Sequence, residues 1–144
     1  MRKGATKPDS LVERLERCIA RKRGDVFLRA DFEDLGGYDQ VGRALRQLVR
    51  KGRLMKVGQG LYARARQSPF SGKPVLPKGL GTLTEALERL GVEVLPTRLQ
   101  RAYIEGKTTQ VPTGRVVAVR ERVRRRVGYD SVYLQFERAG PAPR

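Results

Sequence analysis

A chain of 144 residues, 39% of them apolar, has room for one ordinary domain or two small ones around a real core. With no His and a single Cys it lacks the commonest general base and metal ligand, the His-dependent triads, disulfides and Cys-rich zinc sites, so a non-enzymatic protein without cofactors in a reducing cytoplasm is expected. The formal net charge of +16 is spread out, with 17 Lys and Arg against 8 acids in residues 1–66 and 14 against 7 in the rest, and it points to a phosphate-rich partner.

No apolar run reaches the roughly 18–20 residues that cross a bilayer. Met1 to Ser10 is charged and carries no apolar stretch, so neither a membrane span nor a signal peptide is expected. Ser10 and Glu13 have the spacing of a capping box and open a first helix. Leu11, Leu15, Cys18 and Ile19 recur along it at helical spacing, while Arg14, Arg17, Arg21 and Lys22 face water. Cys18, inside that stripe, is expected as a structural thiol. Gly24-Asp25 ends the helix, and Val26 to Leu28 reads as a short strand. Ala30 to Leu35 reads as a second helix of about two turns, stopped by Gly36-Gly37, a pair suited to a tight turn between helices.

Asp39 to Lys51 is the third helix, with Val41, Leu45, Leu48 and Val49 inward and Ala44 allowing close approach. Gly52 suits a left-handed cap. Leu54 to Val57 and Leu61 to Arg64, joined through Gly58-Gln59-Gly60, form a hairpin. Helix, short strand, helix, tight turn, helix and hairpin is the connectivity of a winged helix-turn-helix, expected over residues 1–66.

Residues 67–81 hold Pro69, Pro74 and Pro77 and read as a linker. A small basic α+β domain is expected over 82–138, packed onto the winged helix, which makes the fold class α+β. Thr82 and Glu85 give a second capping-box spacing for a helix with Leu83, Ala86, Leu87 and Leu90 on its apolar face, ended by Gly91. Val92 to Leu95 and Val116 to Val119 read as short strands, and Gln100 to Gly114 stays ambiguous. Val132, Leu134 and Phe136 alternate with Tyr133, Gln135 and Glu137, which suits a half-buried strand.

Three constellations carry the chemistry. On the third helix Gln40, Arg43, Gln47 and Arg50 fall at i, i+3, i+7 and i+10 and share one face with Arg46. Such a face suits the major groove, where Arg pairs with guanine and Gln with adenine; the plain alternative is the solvated face of any amphipathic helix. In the hairpin Lys56, Gln59, Arg64 and Arg66 suit a phosphate backbone, and Gly58 and Gly60 let the main chain approach it, whereas Tyr62 suits the core. Finally Arg120, Arg122, Arg124, Arg125 and Arg126, broken by Glu121 and Val123, repel one another unless an anion lies among them. With Val123 and Val127 as anchors they read as a phosphate-binding strip, against a solvated face or a dock for an acidic protein. The loop Thr108 to Gly114 has hydroxyls suited to the same phosphates.

The residues also resemble a known family. Gly24 to Arg29, Gly36 to Asp39, Val41 to Leu45 and Gly60-Leu61-Tyr62 are similar to the N-terminal winged-helix domain of the AbiEi family of type IV antitoxins. Ser68 to Pro74 and Thr109 to Gly114 resemble segments of a smaller AbiEi-like bacterial group. The resemblance implies a transcriptional autorepressor that also counteracts a nucleotidyltransferase-like toxin. It would carry DNA contact over to Tyr38, Gln40, Arg43 and Gln47 and to the hairpin from Lys56 to Arg64. The second half is shorter and more basic than the toxin-opposing domain of that family. A sequence-specific double-stranded DNA-binding protein is therefore the leading expectation. An RNA- or ribosome-associated basic protein is the alternative, since A-form RNA also attracts Arg clusters. A nuclease or nucleotidyltransferase would need clustered carboxylates, yet Asp9, Asp25, Asp31, Asp34 and Asp130 are scattered along the chain.

Overall fold

The computed structural model describes residues 10–139. The charged start of the chain, residues 1–9, weighed above as a signal peptide, lies outside them. The first helix, α1 (Leu11–Arg21), opens on the expected capping box: the Ser10 hydroxyl accepts the Glu13 N–H at 3.2 Å, and the Glu13 carboxylate accepts the Ser10 N–H at 3.2 Å. Strand β1 (Val26–Leu28) follows. The expected second helix over Ala30 to Leu35 is only a 3-10 turn at Arg29–Phe32. The cause is local: Glu33 and Leu35 donate to carbonyls three residues back, at Ala30 and Phe32, and the Asp31 carboxylate takes the Leu28 N–H at 2.9 Å. Helix α2 (Tyr38–Arg50) then lies within a residue of expectation and buries Val41, Gly42, Ala44, Leu45 and Leu48. Gly52 closes it with φ +76, the left-handed value that favours glycine.

Strands β2 (Leu54–Gly58) and β3 (Leu61–Arg64) form the hairpin, with an irregular register between Lys56 and Gly58. With β1 they make an antiparallel sheet of order β1-β3-β2. Alternation sends its side chains two ways. Phe27, Leu54 and Tyr62 pack with Leu15, Phe32, Val41, Leu45 and Leu48 beneath α1 and α2. Val26, Val57, Leu61 and Ala63 pack on the other face with Leu83, Ala86 and Leu87. The sheet is thus a middle layer, buried on both sides. Tyr62 lies in the core, as its place in the strand implied. Cys18 is half-buried against the first core.

The stretch 67–81 contains more structure than a linker. Strands β4 (Arg66–Gln67) and β5 (Pro74–Val75) pair across it, and Leu76 is buried in the second core. Helix α3 (Leu80–Arg89) starts two residues before Thr82, so the expected capping box is absent. Instead the Thr82 hydroxyl accepts the Lys78 N–H at 3.0 Å, and the Glu85 carboxylate reaches across to the Asp25 N–H at 2.7 Å. A capping box does occur at Thr97 and Gln100, where it opens α4 (Arg98–Ile104), which runs into the stretch left ambiguous above. Val92 to Leu95 forms no strand; only Leu95 bridges, its N–H donating to the Ala118 carbonyl, before Pro96 stops further pairing.

Strand β6 (Val116–Val119) is as expected. The alternating strand near the C-terminus splits at buried Leu134. β7 (Gly128–Tyr129) and β8 (Val132–Tyr133) form a small hairpin, and β9 (Gln135–Arg138) turns to pair parallel with β6. The fold class is α+β, four α-helices with several small sheets among the described residues. No helix among them is long and apolar enough to cross a membrane.

Candidate nucleic-acid interface

The outer arc of α2 exposes Tyr38, Gln40, Arg43, Arg46, Gln47 and Arg50 together. Arg43, Arg46 and Arg50 make no ion pair with any described carboxylate, so three positive charges face solvent uncompensated. Gln40 is partly engaged: its carbonyl oxygen accepts the Gly37 N–H at 3.4 Å and closes the first turn of the helix. Gln40, Arg43, Gln47 and Lys51 border an open groove of about 510 Å³ against the start of α1. One acid shares the arc, because Asp39 is exposed in the first turn and leads the i, i+4, i+7, i+11 stripe of Arg43, Arg46 and Arg50. It sits where the helix dipole favours a carboxylate, and a carboxylate is also an acceptor for cytosine N4.

Arg29, which no spacing singled out, fixes how this helix is presented. Its Nε and Nη2 donate to the Tyr38 carbonyl at 3.1 and 2.6 Å, and its guanidinium lies 3.5 Å from the Tyr38 ring centroid. Tyr38 itself remains 72% exposed. The guanidinium occupies the space a Cβ on Gly42 would fill, so a side chain there would push Arg29 off Tyr38. An isolated glycine inside a helical pattern was the available sign that something packs there.

The hairpin residues divide. Lys56, Gln59 and Arg66 are exposed. Arg64 turns inward: its Nη2 donates to the carbonyls of Ile19, Lys22 and Gly24 at 3.0–3.1 Å, and its Nε meets the Asp25 carboxylate at 3.2 Å. It caps the C-terminal end of α1, so the geometry gives it a structural task rather than a place on the outer surface.

The five arginines do not form one strip either. Residues 120–127 run without helix or strand. Arg120 is paired with Glu93 at 3.3 Å, and Arg122 borders the same shallow depression, lined also by Glu121 and Val123. Arg125 instead donates to the Gln59 carbonyl at the hairpin tip, and Arg126 stacks on Tyr133 at 4.3 Å. The hairpin and the end of the arginine run, two separate constellations in the sequence, thus meet. In the loop 108–114, the Thr108 and Thr113 hydroxyls accept the N–H groups of Gln110 and Arg115, so both serve local turns. Among the described residues no three of His, Cys, Asp and Glu gather into a metal-sized group.

The sequence profile of a family described as a family of unknown function (DUF6088) matches residues 13–143. No curated protein and no solved structure shows a significant similarity to the chain.

Proposed function

Given that the chain belongs to this family of unknown function (DUF6088), we propose that it is a sequence-specific double-stranded DNA-binding protein whose N-terminal part works as a winged helix-turn-helix. The observation that carries the reading is the outer arc of α2, with three unpaired arginines and two glutamines exposed on one helix. Such a set can grip phosphates and read base edges in one docked pose. Supporting it, α2 follows the Gly36-Gly37 pair with its first residue, Tyr38, held by Arg29, and is followed directly by an antiparallel hairpin with exposed Lys56 and Gln59. The helix that precedes the turn is reduced to a 3-10 turn, so docking rests on α2 and the hairpin.

Acting as a transcriptional autorepressor, with a nucleotidyltransferase-like toxin as a protein partner, extends the proposal on the AbiEi resemblance alone, while a cytoplasmic setting extends it on the lone Cys18. Fluorescence anisotropy on duplex DNA from about 50 to 300 mM salt tests the core of it. Five phosphate contacts give a log–log slope of about −4 to −5. A flat dependence, or tighter binding to structured RNA than to any duplex, would replace this reading with the RNA-associated one.

A further inference from the structure

We propose that the seam between the hairpin tip and the loop carrying Arg125 and Arg126 is a phosphate clamp, and that its occupant is a backbone phosphate of the bound duplex. The seam is a concavity of about 410 Å³ lined by Lys56, Gln59, Arg125, Arg126 and Tyr133, with the backbone of Gly58 and Gly128, and no carboxylate lines it. Three cations from segments some seventy residues apart in sequence converge there, and none makes an ion pair with a described carboxylate. Like charges held together raise one another's energy, and a phosphate relieves that repulsion.

Two of the three are also held in place. The Arg125 guanidinium spends a donor on the Gln59 carbonyl, which ties the loop to the hairpin. The Arg126 guanidinium lies over the Tyr133 ring, 4.3 Å from its centroid, a cation–π contact that restrains it. A planar donor fork with restricted motion loses less entropy on gripping phosphate oxygens than a free side chain does. Glycine is required behind it: at Gly128 a Cβ would run into the Val132 carbonyl and Tyr133, so the loop can close over β8 only without one. The neighbouring arginine behaves differently, since Arg120 already has Glu93 as its counter-charge. The sequence-level strip thereby narrows to its last two members plus Lys56.

This inference rests on the DNA-binding reading, and the test separates the two. The full chain is compared with Arg125→Gln/Arg126→Gln and with Arg101→Gln/Lys107→Gln, which removes the same charge from exposed positions outside the seam. Salt titrations on duplex DNA are paired with a titration of inorganic phosphate, followed on the arginine Nε resonances. The seam variant is expected to keep the preferred sequence, to bind roughly tenfold more weakly near 100 mM salt, and to show a slope shallower by about 1, the signature of one lost phosphate contact. The charge-matched control keeps the wild-type slope. If wild type binds duplex and the seam variant matches the control, the clamp is overturned while DNA binding stands. If wild type binds no duplex, the DNA reading falls. Perturbation of the Arg125 and Arg126 resonances by inorganic phosphate then still supports a phosphate site for a free phosphorylated ligand, and a flat titration removes the clamp as well.

Discussion

Arg64 and Arg125 belong to one residue type on the same basic chain, yet their surroundings give them different work. Arg64 sits over the end of α1 with three carbonyls and the Asp25 carboxylate as acceptors, its side chain 30% exposed. Arg64→Ala strips those acceptors of their donor and is expected to cost about 2–3 kcal/mol of stability, read by urea unfolding. A weaker grip on DNA with unchanged stability would instead return Arg64 to the binding surface. Asp31 is a second such anchor, joining the start of the 3-10 turn to α3 through Arg89 at 2.5–2.6 Å. Burial pushes its carboxyl up, but the Arg89 guanidinium and the Leu28 N–H together outweigh this and hold it below its ordinary value. A carboxyl lowered in the folded chain contributes its stabilisation above about pH 4 and loses it as the pH falls through the folded value. Asp31→Asn should therefore lower Tm at pH 7, and the gap from wild type should close towards pH 3. A gap of constant size would mean that packing, not charge, holds the contact.

At the scale of elements, α2 is the piece whose outside and inside were both legible. Its apolar stripe set the helix and left Arg43 and Gln47 outward, because one period fixes both faces. Arg43→Ala or Gln47→Ala is expected to cost about 1–3 kcal/mol on the cognate site and much less on random duplex. Equal losses on both would reduce α2 to a phosphate-gripping surface. The 3-10 turn before it escaped sequence reading because Phe32 and Leu35 have a plausible helical spacing, while Asp31 withdraws the Leu28 N–H into a local bond. The capping box assigned to Thr82 failed for a related reason: Glu85 is engaged by Asp25, sixty residues away. The Thr97 and Gln100 box had the same spacing and was available to be read. Arg29 left no periodic trace at all, since its partner Tyr38 is nine residues on and reached by folding, not by register.

Across the whole molecule, the middle sheet ties the two halves together. Val26, Val57 and Leu61 lie on its second face, covered by α3 and the segments after it. A fragment ending at Arg66 would expose all three, at about 1.5–3 kcal/mol each, a large share of the roughly 5–15 kcal/mol that holds a small domain folded. The fragment is thus expected to unfold or self-associate, whereas the full chain melts in one transition; calorimetry and sedimentation check this. A monomeric fragment with a cooperative melt would show that residues 1–66 stand alone. By itself, the sequence determined α1, α2, the hairpin and β6, because these depend on neighbours within a few positions, and it determined the excess of arginine and the lack of histidine as plain composition. The tertiary structure alone decided that the sheet is buried on both faces, that Arg64 caps a helix, and that Lys56 lines one concavity with Arg125 and Arg126. Each of these depends on contacts between residues about twenty to seventy positions apart, and no local pattern records which distant side chain will fill a given space.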